Sequence, residues 1–217
     1  MENEKATPQT DTEQKYTRKE WNKATRPLSI GIATSTVMLL FYPALLFVNL
    51  RQTHTIAMPV MLVYMIIAVI IASACISGYL IGLHRMGTLL SVRGRRCLNL
   101  ISISFLAAIP SAIIQIAAFL DHETIRLSQA CAINAPFFIT TLIALMGFIG
   151  LLLNKELHTQ AQTGTRNLTW TYLLLTICTI AVSLTLGKAL ILRILVTILV
   201  VAATYLYYRN WRKIIMM

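Results

Sequence analysis

Six long apolar runs, parted by short polar stretches, constrain this chain more than any other feature. They are Ser29–Leu50, Met58–Leu83, Leu98–Leu120, Ala130–Leu153, Leu168–Leu186 and Ala189–Tyr208, each 19 to 26 residues long. About 20 apolar residues in a helix cross a hydrocarbon core. Backbone polar groups in hydrocarbon must pair internally, which leaves only helices or closed barrels. The alternating segments of a barrel strand do not occur. The sequence therefore predicts an all-α, polytopic transmembrane helical bundle of about six spans. Residues 1–28 form a polar, basic tail, residues 29–208 the transmembrane domain, and residues 209–217 a short basic tail. Only Gly187 and Lys188 divide the last two runs, and a single 41-residue helix would overshoot the bilayer, so a tight hairpin is expected there.

Composition agrees. The chain is 57% apolar and 12% charged, whereas a soluble domain is nearer a half and a quarter. The net charge of +11 admits two readings, nucleic-acid binding or basic cytoplasmic loops. Position decides between them. Fifteen of the 19 Lys and Arg fall in the N-terminal tail, His84–Cys97, Asn154–Asn167 and the C-terminal tail, and four (Arg51, Arg126, Lys188, Arg193) fall in the alternate segments. The positive-inside rule then places both termini in the cytoplasm, and the membrane is read as the cytoplasmic (inner) one. No nucleic-acid recognition motif accompanies the charge. The expected partners are the lipid bilayer, anionic lipids facing Arg93, Arg95, Arg96, Lys19, Lys23 and Arg26, and other membrane subunits in one of the readings below. Thr12–Ala24 is expected to form a short surface helix anchored at the interface by Tyr16 and Trp21. Trp170 and Tyr172 are expected to mark the inner interface of the fifth span, and Tyr205, Tyr207, Tyr208 and Trp211 that of the last.

Features that carry chemistry are sparse. No Asp, Glu or Lys lies in the central part of a span, so a proton relay through an acidic side chain is not expected. His54, His84, His122 and His158 lie in loops or at span ends, and Cys75, Cys97, Cys131 and Cys178 show no ligand spacing. No catalytic, cofactor or metal residue is assigned. Asp121, His122 and Glu123, with His54, are the closest approach to a metal set, and a solvated loop is the plainer reading.

Polar residues cluster toward the outer boundary. Gln115, Asn134 and Arg193 sit a few residues inside it, with Asp121 and Glu123 at the rim. Together they form a candidate outward-facing polar cup, in which Arg193 pairs with Asp121 or Glu123. The plainer alternative is that polar groups near an interface cost little and that Arg snorkels to phosphate. Ala74, Gly78 and Gly82 form a small-residue ridge, the candidate helix-packing face. Thr169, Tyr172, Thr176, Thr179 and Ser183 form a polar stripe at helical spacing, and Ser104, Ala108, Ser111 and Gln115 another. Pro43, Pro110 and Pro136 each remove a backbone donor within a span.

Three functional classes remain open from sequence. The best is a small-solute transport component, a permease or substrate-binding membrane subunit, with the polar cup as its site. The others are a non-catalytic structural subunit of a larger membrane complex and a lipid-modifying membrane enzyme.

Overall fold

The structure is a computed structural model that describes residues 16–41, 58–121, 126–154, 157, 159–185 and 188–216. Among them are six helices and no strand: α1 (Arg18–Phe41), α2 (Met58–Leu89), α3 (Val92–Asp121), α4 (Leu127–Leu153), α5 (Thr159–Thr185) and α6 (Leu190–Ile215). Each packs on its neighbours in sequence, and α6 closes the ring against α1. Neighbouring helices run antiparallel. Trp21 in the first turn of α1 donates its indole N–H to the Ile214 carbonyl in the last turn of α6, at 2.9 Å. The start of α1 and the end of α6 therefore share one end of the bundle, here the near end.

Four helices are long and apolar enough to cross a membrane among the described residues: Val69–Leu89, Leu127–Leu153, Gln160–Thr185 and Leu190–Ile215. The last has a mean hydropathy of 2.2, yet only 28% of that apolar window is buried inside the protein. Ile191, Leu195 and Ile198 point outward. A face of this size and continuity is compatible with a hydrocarbon surround.

Hydrophobicity does not drive helices together when the solvent is itself apolar, so close packing must. Glycine provides it in three hairpins. In α1–α2, a Cβ on Gly78 would stand 2.6 Å from the Gly31 nitrogen and 2.8 Å from the Pro27 carbonyl, and one on Gly82 would stand 2.5 Å from the Leu28 nitrogen. Ala74 is half-buried one turn earlier on the same ridge. In α3–α4, a Cβ on Gly147 would meet the Cys97 carbonyl at 2.8 Å, and in α5–α6 one on Gly164 would meet the Asn210 carbonyl at 2.9 Å.

The structure corrects several boundaries. α1 starts eleven residues before the first apolar run and continues into it as far as Phe41, so no separate surface helix covers residues 18–24. Its start is a capping box: Thr17 donates its backbone N–H and its hydroxyl to one Glu20 carboxylate oxygen, both at 2.8 Å, and the Glu20 N–H returns to the Thr17 hydroxyl at 3.3 Å. Trp21 is fully buried and stacks on Tyr16, with centroids 4.9 Å apart, because the charged residues around it occupy the opposite face of the turn. Neither is an interfacial anchor. Tyr207 and Trp211 are likewise turned into the core, whereas Tyr205 and Trp170 point outward as a belt would. The expected loop at His84–Cys97 shrinks to Leu90 and Ser91, and α5 begins nine residues before its apolar run.

The Thr17 backbone N–H, then its hydroxyl, hold the Glu20 carboxyl below the ordinary 4.5. A lowered folded-state value means the cap stabilises fully above pH 4.5 and fades as pH falls through the folded value. We expect the melting temperature of wild type to exceed that of Glu20→Gln at neutral pH, and the gap to close in acid below pH 4.5. A gap independent of pH would contradict the cap.

Candidate functional site

The interior holds one cluster to which every helix contributes. Ser35 comes from α1, Tyr79 from α2, Phe105 from α3, Phe148 from α4, Tyr172 from α5, and Tyr207 and Trp211 from α6. Tyr79 stacks flat on Phe105, with centroids 4.3 Å apart, and meets Trp211 edge-on at 5.7 Å. Phe148 leans on Trp211 at 5.9 Å and on Tyr172 at 5.2 Å. Edge-to-face and offset pairs of this kind are favourable beyond their area. They fill the near half of the ring.

The hydroxyls inside this aromatic shell form a directed chain. Ser35 donates its one proton to the Ile32 carbonyl at 2.9 Å. It must therefore accept from Tyr207, 3.0 Å away. Tyr207 must then accept from Tyr79, to which it bonds directly. The chain starts at a phenol and ends on a backbone carbonyl, with no charge in it. The Tyr172 hydroxyl lies beside Tyr79, Tyr207 and the Trp211 indole. Trp211 Nε1 nevertheless has no partner with hydrogen-bonding geometry among the described residues, although its side chain is 1% exposed. Buried donors are seldom left so.

Comparison with known proteins gives no match: no family model, no curated protein and no solved structure is similar to this chain.

A polar line leads away from the cluster along α5. The stripe foreseen in the sequence faces inward, with Ser183, Thr179 and Thr176 buried and Tyr172 and Thr169 half-buried. Thr176 meets Thr141 of α4 at 2.9 Å. Since Thr141 and Thr176 also bond their own carbonyls at 3.0 Å, one hydroxyl must give up that bond to donate across. Asn134 of α4 is buried, and its amide donates to the Ala130 carbonyl at 2.7 Å and to Ser183 at 2.9 Å. From Ser183 to Tyr172 the line runs about 16 Å along the helix. It joins the far end of the bundle to the hydroxyl cluster.

The candidate cup residues occupy far-end turns. Asn134 is in the second turn of α4. Arg193 is half-buried in the first turn of α6, with its Nε donating to the Lys188 carbonyl at 3.0 Å. Gln115 and Asp121 belong to α3, with both side chains outside the described set; Glu123, His122, His54 and Pro43 lie outside the described residues. Gly78 and Gly82 face α1 of the same chain. Cys75 and Cys178 are buried, Cys97 is half-buried, and Cys131 is exposed.

Sequence reasoning missed Ser35, Tyr79, Phe105, Phe148, Tyr207 and Trp211 as a group. They come from five helices with no shared motif. The one available signal was the phase of α6, where Val200, Ala203, Tyr207, Trp211 and Ile214 repeat at helical spacing and are all buried.

Proposed function

We propose that the chain is a membrane-embedded transport component for a small, uncharged, hydrogen-bonding solute. It spans the cytoplasmic (inner) membrane several times, with both termini on the cytoplasmic side. In this reading the solute enters at the far end, past Asn134 and Arg193, and follows the hydroxyls of α5. The aromatic cluster is then the inner gate. The chain is no enzyme here and carries no cofactor. The observation that carries the reading is the inward polar line of α5, ending on the Trp211 indole N–H, which is unpartnered among the described residues. Beyond Arg193 the described interior is polar but uncharged, which suits a neutral solute, because an ion there would meet no compensating charge in a medium of low dielectric.

Glycerol and urea are suitable probes. The full chain in liposomes should let both enter several-fold faster than protein-free vesicles do, in stopped-flow light scattering. Trp211→Phe and Asn134→Leu should slow that entry. Wild-type rates equal to those of empty vesicles would remove this reading. A second reading is a structural subunit of a larger membrane complex, favoured by the close filling of the ring by side chains from all six helices. It predicts no flux and a second membrane chain retained through mild solubilisation.

A further inference from the structure

Outside the ring, α5 and α6 leave a groove of about 310 Å3 at the near end. Asn167, Trp170, Thr171 and Leu174 line one wall, and Leu206, Arg209, Asn210 and Lys213 the other. Its floor is fixed. Asn210 and Thr171 are both buried, the Asn210 amide donates to the Thr171 hydroxyl at 3.0 Å, and that hydroxyl donates to the Asn167 carbonyl at 2.8 Å. Gly164 lets the helices meet just beyond, where the Asn210 carbonyl comes within 2.9 Å of its Cβ position.

Two cations line this groove, and among the described residues no carboxylate does. The lining is also ordered by depth. Arg209 and Lys213 lie toward the near end, whereas Leu206 and Leu174 lie deeper on their helices, toward mid-membrane. Trp170, 69% exposed, stands at the mouth as interfacial tryptophans do. Cations at the interface with apolar side chains beneath match a phosphate whose ester continues into acyl chains. A free phosphate would have no use for the leucines. Basic pockets between transmembrane helices are the usual seats of acidic lipid headgroups.

We propose that this groove binds an acidic phospholipid, with its phosphate between Arg209 and Lys213 and an acyl chain along Leu206 and Leu174. The site is independent of any transported solute, and it differs from the general attraction of the Arg93–Arg96 cluster for an anionic surface.

Trp170 supplies the readout, since Trp21 and Trp211, the other two tryptophans, are buried. The full chain is placed in nanodiscs containing phosphatidylglycerol or phosphatidylcholine with brominated acyl chains, and tryptophan quenching is titrated against mole fraction. Phosphatidylglycerol should quench at a lower fraction than phosphatidylcholine, by up to about 30-fold if each basic contact near the surface contributes as is usual. The preference should vanish in Arg209→Gln/Lys213→Gln and in Trp170→Phe. It should persist in Arg209→Lys/Lys213→Arg and in Arg93→Gln/Arg95→Gln/Arg96→Gln. Equal quenching by the two lipids in wild type would overturn the proposal. So would a preference that survives loss of Arg209 and Lys213 charge or disappears with the Arg93 cluster. Displacement of the brominated lipid by millimolar inorganic phosphate would assign the groove to a soluble anion and overturn the lipid assignment.

Discussion

Gly78→Val should destabilise the bundle by about 3 kcal/mol or more. The reason is that the three atoms nearest the new Cβ are all backbone. The Gly31 nitrogen at 2.6 Å, its Cα at 2.8 Å and the Pro27 carbonyl at 2.8 Å cannot turn aside as a side chain would. The helices must separate instead, and in lipid this close approach is what holds them together. Unfolding by SDS titration, followed by tryptophan fluorescence, measures this directly, because Trp21 and Trp211 are buried. Gly87→Ala in the same helix is the control. Its Cβ would meet nothing closer than the flexible Arg95 Cγ at 3.4 Å. That change should be neutral or gain about 0.5–1 kcal/mol, since alanine is the better helix former. Equal midpoints for Gly78→Val and wild type would show that α1 and α2 do not meet along this ridge.

The two buried tryptophans give the second large effect, and they separate ring from N–H. Truncating either to alanine should cost about 3–5 kcal/mol, the usual range for emptying an aromatic site in a core. Replacement by phenylalanine should divide them. Trp21→Phe removes the bond to the Ile214 carbonyl and leaves that oxygen buried without its donor, for a loss of about 1–3 kcal/mol. Trp211→Phe removes an N–H that makes no well-aligned bond among the described residues, its neighbour being the Tyr172 hydroxyl, so its cost should stay within about 1 kcal/mol. Trp211→Phe therefore retains the fold while deleting the donor that the transport reading uses. The same SDS titrations check both. Equal costs at the two sites would mean that Trp211 Nε1 is bonded after all.

The helical class follows from the apolar runs, and the structure agrees, with six helices among the described residues. The near-end boundaries were harder to read, for a physical reason. A hydropathy window reports transfer into lipid and stops at the first charges. A helix needs only one inward face. Arg18, Lys19, Lys23 and Arg26 face outward, whereas Trp21, Thr25 and Leu28 are buried on the other side of the same turns. The signal that locates this start is local: Thr17 with Glu20 three residues later is the capping-box pattern. Tyr207 and Trp211 teach the same lesson about faces. An aromatic belt is expected from residue type and position along the span, but Tyr205 and Tyr207 differ by about 200° of helix rotation. One points outward and the other meets Tyr79. The polar stripe of α5 was legible as a stripe, because its members lie on one helix. What it faces was not, because Thr141 and Asn134 approach from another helix and no spacing links them. The hydroxyl cluster, drawn from separate spans, was illegible for the same reason.

Hydrocarbon must surround the outer surface of these helices, and spin labels along α6 test this most directly. In liposomes, with the four native cysteines replaced, labels at Ile191, Leu195 and Ile198 should collide readily with dissolved oxygen and hardly at all with a water-soluble nickel chelate, since these outward side chains are 57% to 73% exposed. A label at Val200, which is buried, should be shielded from both. Ready access of the nickel chelate to Ile198 would put water where lipid is required and contradict a membrane-spanning bundle.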